Sequence, residues 1–378
     1  MTNKTDILHI QRINTSEGFH SLHEKWNALL AESPANNFFL RWEWLYSWWK
    51  VYKEDNHNLC ILLVFRGKDL IGIAPFYIVH KSWRSLFSYK RLMFLGTKEG
   101  SVISEYMDVI CRDGEEEDVL RKVMEFAVHE DLCDDIFLHI MDDSSKTINL
   151  LKSISHNMKF LHIAVDKIES PYIRLNDGYN GFLNSLSSTM RHNIRANERR
   201  LESCNNAAFS KTDDISKFDR DFEELVRLHQ CRWESRRLHG SFSNVKFREF
   251  QKMVMPYILR NGHLELRFLS VSGKNIAALY NIRYNNKIYF YQSGLDTAFD
   301  KKLAPGLLLH NHSIKEAVSC GLKEYDFLPM GSLDSYKKHW TTGYRNVCNI
   351  YMARPGIVKH TMAVRDKMKT AYHAVRGF

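Results

Sequence analysis

One stretch near the end of the chain, YQSGLDTAFDKKLAPGLLLHNHSIKEAVSCGLKEYDF, limits the possible folds more than any other. Its apolar pattern predicts a strand, a loop, a helix and a second strand, and Pro305 and Gly306 mark the beginning of the helix. The first N–H groups of a helix have no partner within it, and the helix dipole is positive at that end. The segment therefore predicts either an anion site at the start of the helix or a plain turn between two strands.

The order of elements repeats in the two halves of the 378-residue chain, a length that suggests roughly two domains. Each half begins with a strand and helices, continues with strands joined by tight turns, and ends with a helix and a further strand. Turn signals stand at Arg66–Asp69, Ser272–Lys274 and Asn285–Asn286. We therefore predict an α/β (α+β) fold of two tandem domains, residues 1–168 and 169–355, each a mixed central sheet flanked by helices.

Three local predictions complete this organisation. EYMDVIC, residues 105–111, is interpreted as a strand, and Asp177, Gly178 and Gly181 indicate a loop. Residues 356–378 form a basic, partly amphipathic pattern that predicts a terminal helix. That helix either covers the sheet or touches an acidic membrane surface.

Charge and cysteine usage narrow the class of protein. The formal net charge of +9 favours anionic partners, although a solvated basic surface explains it equally well. The seven cysteines form no CxxC pair, which argues against a zinc knuckle and fits a reducing compartment. Without a signal-like start or an apolar run of 18 residues, we expect a cytoplasmic protein, at most peripheral at the inner membrane face.

Several segments together resemble a known family. LSSTMRHNIRANERRLE, LHQCRWESR, YFYQSGLDTAFDKKLAPGLLL and YDFLPMGSLDSYKKHW in the second half, with NNFFLRWEWLYSWW and GIAPFYI in the first, resemble acetyltransferases of the CelD type, which is connected with cellulose biosynthesis. That family is related to the Fem peptidyltransferases. The resemblance covers most of the chain and implies two tandem GNAT-like domains, with the working cleft in the C-terminal one and the domain junction shaping the acceptor site.

The GNAT resemblance also implies where an acyl-CoA donor, acetyl-CoA or a longer one, would bind. In that fold the thioester arm lies between two diverging strands, and the pyrophosphate lies on the N-terminus of the following helix. Carried onto this sequence, the donor-binding residues are Tyr291, Gln292, Ser293, Gly294, Lys301, Lys302, Gly306 and Leu307. Only Gly306 of the usual glycine-rich loop is present, so an aminoacyl-tRNA donor, as in Fem-type relatives, stays the alternative.

Acyl transfer to an amine needs a proton acceptor and a proton donor. The resemblance places Tyr336 as the acid that protonates the leaving thiolate, and the alternative is a packed tyrosine. Asp326, or Glu324 two residues earlier on the same strand face, is the predicted base, and the alternative is a turn-capping carboxylate. The predicted acceptor-binding residues are Arg191, Arg232, Trp233, Arg236, Lys337 and Trp340. The alternative for Arg191 is a solvated basic face, and for Arg232 and Arg236 it is a surface ion pair.

The HNH sequence from His310 to His312 suggests a metal site at first sight. Positions i and i+2 of a helix point apart, so we predict no metal there. Three functions remain as hypotheses. The first is an acyl-CoA-dependent N-acyltransferase, acting on an amino group of a polysaccharide or cell-envelope precursor. The second is a Fem-like aminoacyl-tRNA-dependent transferase, and the third a non-catalytic basic module that binds nucleic acid or lipid.

Overall fold

The structure is a computed structural model that describes residues 7–83, 87–99, 103–157, 160–300, 302–329 and 335–354. It divides into two compact units. The first contains Met1–Ile168 together with a return segment that begins at Asn346, and the second contains Glu169–Arg345. The predicted terminal helix at residues 356–378 lies outside the described residues.

The first unit is a mixed sheet with helices. Its strand order is β1-β2-β3-β4-β6-β13, and the short β5 pairs with β3. The strands are β1 Leu8–Ile13, β2 His57–Arg66, β3 Asp69–Trp83, β4 Phe87–Phe94, β5 Ile110–Cys111, β6 Asp135–Asp142 and β13 Gly343–Ala353, of which Val347–Ala353 pairs with β6. The helices are α1 Ser16–His20, α2 His23–Ala31, α3 Trp42–Tyr52, α4 Glu116–His129 and α5 Lys146–Asn157.

The second unit repeats the arrangement with strand order β7-β12-β11-β10-β9-β8. The strands are β7 Leu161–Arg174, of which Tyr172–Arg174 pairs with β12, β8 Ala208–Lys211, β9 Leu264–Val271, β10 Lys274–Tyr284, β11 Lys287–Leu295 and β12 Glu324–Asp326. The helices are α6 Gly178–Ser185, α7 Ser188–Glu202, α8 Phe218–Glu234, α9 Val245–Arg260 and α10 Pro305–Ser319, and a short 3₁₀ helix covers Ser335–His339. The expected class, mixed sheets flanked by helices in tandem, is confirmed.

The feature that positions the site is the separation of two parallel strands in the second unit. β11 and β12 pair only from Lys287–Glu324 to Tyr289–Asp326, while β11 continues beside β10 as far as Leu295. Beyond Tyr289, no strand of the described residues pairs with this side of β11. A strand that loses its neighbour leaves backbone groups available for another partner.

The predicted turns are confirmed because their backbone chemistry is local. Gly67 has φ 60°, and Ser272 and Gly273 have φ 51° and 78°. Asn285 and Asn286 have φ 46° and 59°. Pairs of residues with positive φ join strands with the natural twist, and glycine and asparagine adopt that conformation most readily.

Three local predictions were incomplete or wrong. Strand β7 was not predicted, and Pro171 within it disguises the pattern, because proline normally argues against a strand. Of residues 105–111 only Ile110–Cys111 is a strand, since Tyr106 has φ 53°. The loop predicted at Asp177–Gly181 is the start of α6, whose buried Phe182 packs into the core of the second unit.

Candidate functional site

A pocket of about 390 Å³ lies in the second unit, beside the separation of β11 and β12. The start of α10, the strands β10 and β11, the end of α8 with the residues after it, Met190 of α7 and the short helix after β12 surround it. The residues that line it include Arg232, Arg236, Ser293, Gly306, Leu307, His310, Tyr336 and Trp340. This grouping brings together six of the residues that the sequence nominated for binding and one of its candidate catalytic residues.

The first turn of α10 offers backbone donors to the pocket. Pro305 occupies the first helical position, and Ala304 before it makes no side-chain cap. The first intrahelical hydrogen bond runs from Leu308 to the Ala304 carbonyl at 3.1 Å. The N–H groups of Gly306 and Leu307 therefore precede the hydrogen-bonded ladder, and no group of the described residues accepts from them. Free donors at the positive end of the helix dipole favour an anion.

The neighbouring helix α7 holds this first turn in place. Asn197 of α7 accepts a hydrogen bond from the Ala304 N–H at 2.8 Å, and Arg200 donates to the Lys302 carbonyl at 3.0 Å. Lys302 itself is exposed, and Lys301 lies outside the described residues. The position of the helix start is thus fixed by side chains about 100 positions earlier in the chain, which no local pattern reveals.

His310 is the polar centre of the pocket. It lies on the second turn of α10, and its Nδ1 is 2.9 Å from the phenolic oxygen of Tyr325 on β12. Asn281 donates to the same phenolic oxygen at 3.3 Å. Burial, together with the positive charges of Arg232 and Lys337, lowers the pKa of His310 to about 3, so its imidazole is neutral at ordinary pH.

Sequence reasoning considered His310 only as part of HNH and did not nominate it for chemistry. His312 lies elsewhere, stacked on Phe209 with ring centroids 4.0 Å apart. The described residues contain no group of three or more His, Cys, Asp or Glu side chains that could hold a metal ion. One sequence signal could have identified His310: it lies one helical turn after Gly306. Residues four apart share a helix face, and both residues line the pocket.

Tyr336 and Trp340 line the pocket opposite α10. Tyr336 is half-buried, and its ring centroid is 6.4 Å from that of His310. Trp340 is buried and stacks on Phe182 at 6.3 Å. Lys337 between them does not line the pocket, since its ammonium group donates to the Phe327 carbonyl at 3.0 Å.

The end of α8 brings arginine side chains to the same pocket. Arg232 donates from Nη1 to the Ser293 hydroxyl, and its guanidinium carbon lies 5.9 Å from the centre of the Tyr336 ring. Arg236, one turn later, lies 5.6 Å from the centre of the Trp233 ring. Trp233 is buried, and its indole N–H donates to Nε2 of His229 at 2.9 Å. This bond holds the Trp233 ring in place beside the two arginine side chains.

Three of the four β11 residues nominated as donor-binding face α8 and α9 rather than the pocket. Tyr291 accepts from Gln251 at 3.4 Å, and the Gln292 amide oxygen is 3.2 Å from Nε2 of His229. A Cβ on Gly294 would lie 2.4 Å from the backbone nitrogen of His229, so glycine here permits close approach of α8. Of these four residues only Ser293 lines the pocket.

The two carboxylates predicted as the base are not brought to the pocket. Asp326 is fully buried and accepts from the Leu328 N–H at 2.7 Å, with Arg345 at 3.5 Å. Glu324 pairs with the same Arg345 at 2.5 Å and with Lys287 at 3.2 Å. Burial raises the pKa of Asp326 against the opposing effect of Arg345. Strand alternation turns Tyr325 to the α10 side and its two neighbours away from it.

Arg191 also has a structural role in the described residues. Its guanidinium group donates to the carbonyls of Asn184, at 3.3 Å, and Leu186 at the end of α6. A positive charge at the C-terminus of a helix satisfies its free carbonyl groups and stabilises it. Arg191 itself does not line the pocket, although its neighbour Met190 does.

Comparisons with known proteins agree with this geometry. Residues 188–338, in the second unit, match the family described as an acetyltransferase (GNAT) domain. No curated protein sequence shows a significant match to the chain. The narrower resemblance to the CelD type stays a prediction.

Solved structures resemble the chain over almost its whole length. FemX is 12% identical and covers 89% of this chain and 96% of its own, with a TM-score of 0.59. A conserved protein of unknown function from Bacteroides thetaiotaomicron is 13% identical over 91% and 99%, with a TM-score of 0.55. L-PGS from Bacillus licheniformis is 14% identical over 93% and 97%, with a TM-score of 0.54. At such identities the likeness establishes the fold alone.

None of the described helices is both long enough and apolar enough to span a membrane.

Proposed function

We propose that the protein is an acyltransferase that moves an acyl group from acyl-CoA to an amine in the pocket of the second unit. The observation that carries this proposal is the combination of two features at one place. β11 and β12 separate beyond Tyr289 and Asp326. Gly306 and Leu307, whose backbone N–H groups have no acceptor among the described residues, line the pocket beside that separation.

The donor fits these features by chemistry. A pyrophosphate is a doubly charged anion suited to the free N–H groups and dipole at the start of α10. The pantetheine arm carries amide groups, which suit the edge of β11 that no strand of the described residues covers beyond Tyr289. The pocket is lined mostly by apolar side chains, with a few polar groups at defined points, as ligand pockets usually are.

The reaction then needs one bond formed and one broken. The amine nitrogen attacks the thioester carbonyl carbon, the new C–N bond forms, and the C–S bond breaks. The nitrogen loses one proton and the thiolate gains one. We assign Nε2 of the neutral His310 imidazole as the acceptor of the nitrogen's proton, in the tautomer whose Nδ1–H donates to the Tyr325 oxygen, and the phenol of Tyr336 as the donor to the thiolate. Among the described residues neither the Tyr336 hydroxyl nor Nε2 of His310 has a hydrogen-bond partner.

His310 replaces the carboxylates in this proposal for a geometric reason. A general base must reach the proton that it removes, and Asp326 and Glu324 are held by Arg345 outside the pocket. The bond between Nδ1 and Tyr325 fixes the imidazole in one orientation. An oriented base of this kind is more effective than a mobile one.

The alternative donor is an aminoacyl-tRNA, which the resemblance to the Fem peptidyltransferases implies. The acceptor as an amino group of a polysaccharide or cell-envelope precursor also rests on the resemblance to the CelD type. Both donors would place an activated acyl carbonyl in the same pocket. They differ in the group that anchors the donor: a pyrophosphate at α10, or the tRNA along a basic surface.

Ligand-dependent thermal stability separates the donors. A ligand that binds only the native state raises the melting temperature, so we expect stabilisation by acetyl-CoA or a longer acyl-CoA. Stabilisation by charged tRNA and not by any CoA compound would replace the proposal with the alternative. Stabilisation by uncharged RNA or acidic lipid vesicles alone would favour a non-catalytic binding module. Mass spectrometry of ligand carried through purification provides an independent check.

A further inference from the structure

Arg232 is a cation in the pocket that no carboxylate of the described residues neutralises. Its Nη1 donates to the neutral Ser293 hydroxyl, and its Nε is buried without a hydrogen-bond partner. By contrast Arg227, on the same helix, pairs with Glu224 at 2.7 Å. A partly buried charge without a counter-charge is costly, and such groups concentrate where a ligand supplies the missing partner.

The guanidinium group is also held in one orientation. Its central carbon lies 5.5 Å from the centre of the Trp233 ring and 5.9 Å from the centre of the Tyr336 ring. Aromatic neighbours and the bond to Ser293 restrict rotation, so little further ordering is required when a ligand binds. A planar guanidinium group presents paired donors that match a carboxylate or a phosphate.

We propose that the acceptor amine carries an anionic group, a carboxylate or a phosphate, that binds Arg232 while its nitrogen reaches His310. This inference rests on the proposed function, because it names the class of acceptor for that same pocket. Tyr336 contacts both side chains, with ring distances of 5.9 Å to Arg232 and 6.4 Å to His310.

The anion would also prepare His310 for its role. Two cations face the imidazole, Arg232 from α8 and Lys337 from the short helix after β12, and the phenol of Tyr325 faces it from β12. Burial lowers the pKa of His310, and these positive charges lower it further. An anion on Arg232 offsets one of them and makes the imidazole more basic, because the imidazolium form is then less repelled. The base is therefore strengthened only when an acceptor of the right class is bound.

The donor's own phosphates are the competing source of the anion. The proposed pyrophosphate position is at Gly306 and Leu307, where backbone N–H groups are free. Arg232 instead lies against Ser293 and Tyr336. The experiment therefore has to show that a small anion and coenzyme A occupy the pocket together.

Histidine labelled with ¹³C at Cε1 provides the readout, with the His310 signal assigned by its loss in His310→Gln. Acetate and inorganic phosphate are the probes, added to the full chain. We expect at least one probe to shift the His310 signal saturably in the wild type and in Arg227→Gln. In Arg232→Gln the affinity should fall by about 10-fold to 100-fold, the usual effect of losing a charged hydrogen bond. Arg232→Lys keeps the positive charge but lacks the paired donors of the guanidinium group, so its affinity for the probe should lie between those of the wild type and Arg232→Gln.

Three outcomes would overturn the proposal. One is no saturable shift of His310 with either probe up to about 100 mM, a limit set by the weak affinity of single ion pairs. The second is unchanged probe affinity in folded Arg232→Gln, or in Arg232→Lys if the first variant does not fold. The third is displacement of the probe by saturating coenzyme A. If the probe binds at Arg232 but no CoA compound stabilises the protein, the anion site stands and the proposed donor fails.

Discussion

Nδ1 of His310 on α10 lies 2.9 Å from the phenolic oxygen of Tyr325 on β12, so a helix and a strand fix one imidazole between them. Asn281 on β10 donates to the same oxygen. Burial raises the pKa of Tyr325, so the phenol stays protonated. The hydrogen bond makes Nδ1 the anchored nitrogen and leaves Nε2 as the nitrogen available to a ligand.

Replacing His310 by Gln should lower kcat by about 10²-fold to 10⁴-fold, the usual contribution of a general base. Glutamine is polar and close in size but does not accept a proton at neutral pH. His312→Gln is the matched control, since that imidazole stacks on Phe209 and we expect its kcat to stay near that of the wild type. The test is the steady-state turnover of acetyl-CoA by each variant, with the melting temperature measured on the same samples to show that the variant is folded. A His310→Gln enzyme with wild-type kcat would remove His310 from the mechanism.

Tyr336→Phe tests the proton donor. If the phenol protonates the thiolate, kcat should fall by about 10²-fold to 10⁴-fold, while affinity for coenzyme A hardly changes, because the hydroxyl acts in the transition state. A packed tyrosine would behave differently: loss of its hydroxyl would cost at most about 1–3 kcal/mol of stability and leave turnover intact. Full activity would assign Tyr336 to the wall of the pocket.

Two substitutions of Gly306, at the start of α10, distinguish the effect of added charge from the effect of added volume. A Cβ there would lie 3.4 Å from Cδ2 of Leu295, an ordinary contact, so Gly306→Ala should fold and bind coenzyme A. Gly306→Asp adds a carboxylate where we place the pyrophosphate, and like charges repel. We expect the aspartate variant to lose the thermal stabilisation by acetyl-CoA and the alanine variant to retain it. Equal stabilisation of both variants would contradict the phosphate position.

Asp326→Asn distinguishes a structural carboxylate from a base. Arg345 keeps its 2.5 Å pair with Glu324 when Asp326 is replaced, and asparagine retains an acceptor for the Leu328 N–H. Because burial disfavours the charged form of Asp326 and raises its pKa, the neutral asparagine should cost little stability, and we expect a kcat of the folded enzyme close to that of the wild type. Loss of the low-pH limb of the rate profile in this variant would instead restore Asp326 as the base that the sequence suggested.

Asp108 in the first unit should make stability depend on pH. It is buried, accepts from Ser145 at 2.5 Å, and burial raises its pKa from 3.8 to about 6. The folded state therefore holds this proton more tightly than the unfolded state, so its contribution is complete below about pH 4 and is lost as pH rises to 6. The loss is on the order of 3 kcal/mol, at 1.36 kcal/mol for each pKa unit.

Denaturant unfolding at several pH values measures this effect. Asp108→Asn should flatten the decline in unfolding free energy between about pH 4 and 6, because asparagine does not ionise. Asp113→Asn, which changes an exposed carboxylate of the same unit, serves as the control and should keep the wild-type slope. A wild-type slope in Asp108→Asn would mean that other groups carry the dependence.

The sequence determined those parts of the protein that depend on neighbouring residues. The turns at Gly67, Gly273 and Asn286 were predicted because positive φ is a local property of glycine and asparagine. The strand, helix and strand that contain Gly306 were predicted from their periodicity, and the fold class followed from the order of elements. Where local signals conflicted with packing they misled, as with Pro171 in β7 and Gly178 in α6.

Only the tertiary structure decided which side chains meet. Alternation along β12 shows from the sequence that Tyr325 and Asp326 face opposite ways, but not which face α10 covers. That choice follows from the packing of α10 on the sheet, and it brings Tyr325 to His310 and leaves Asp326 with Arg345. Likewise, Arg232 donates a hydrogen bond to Ser293, which lies 61 positions later in the chain. This contact is possible because Gly294 allows α8 to approach β11 closely. Such contacts depend on the summed packing of distant residues, which no local pattern encodes.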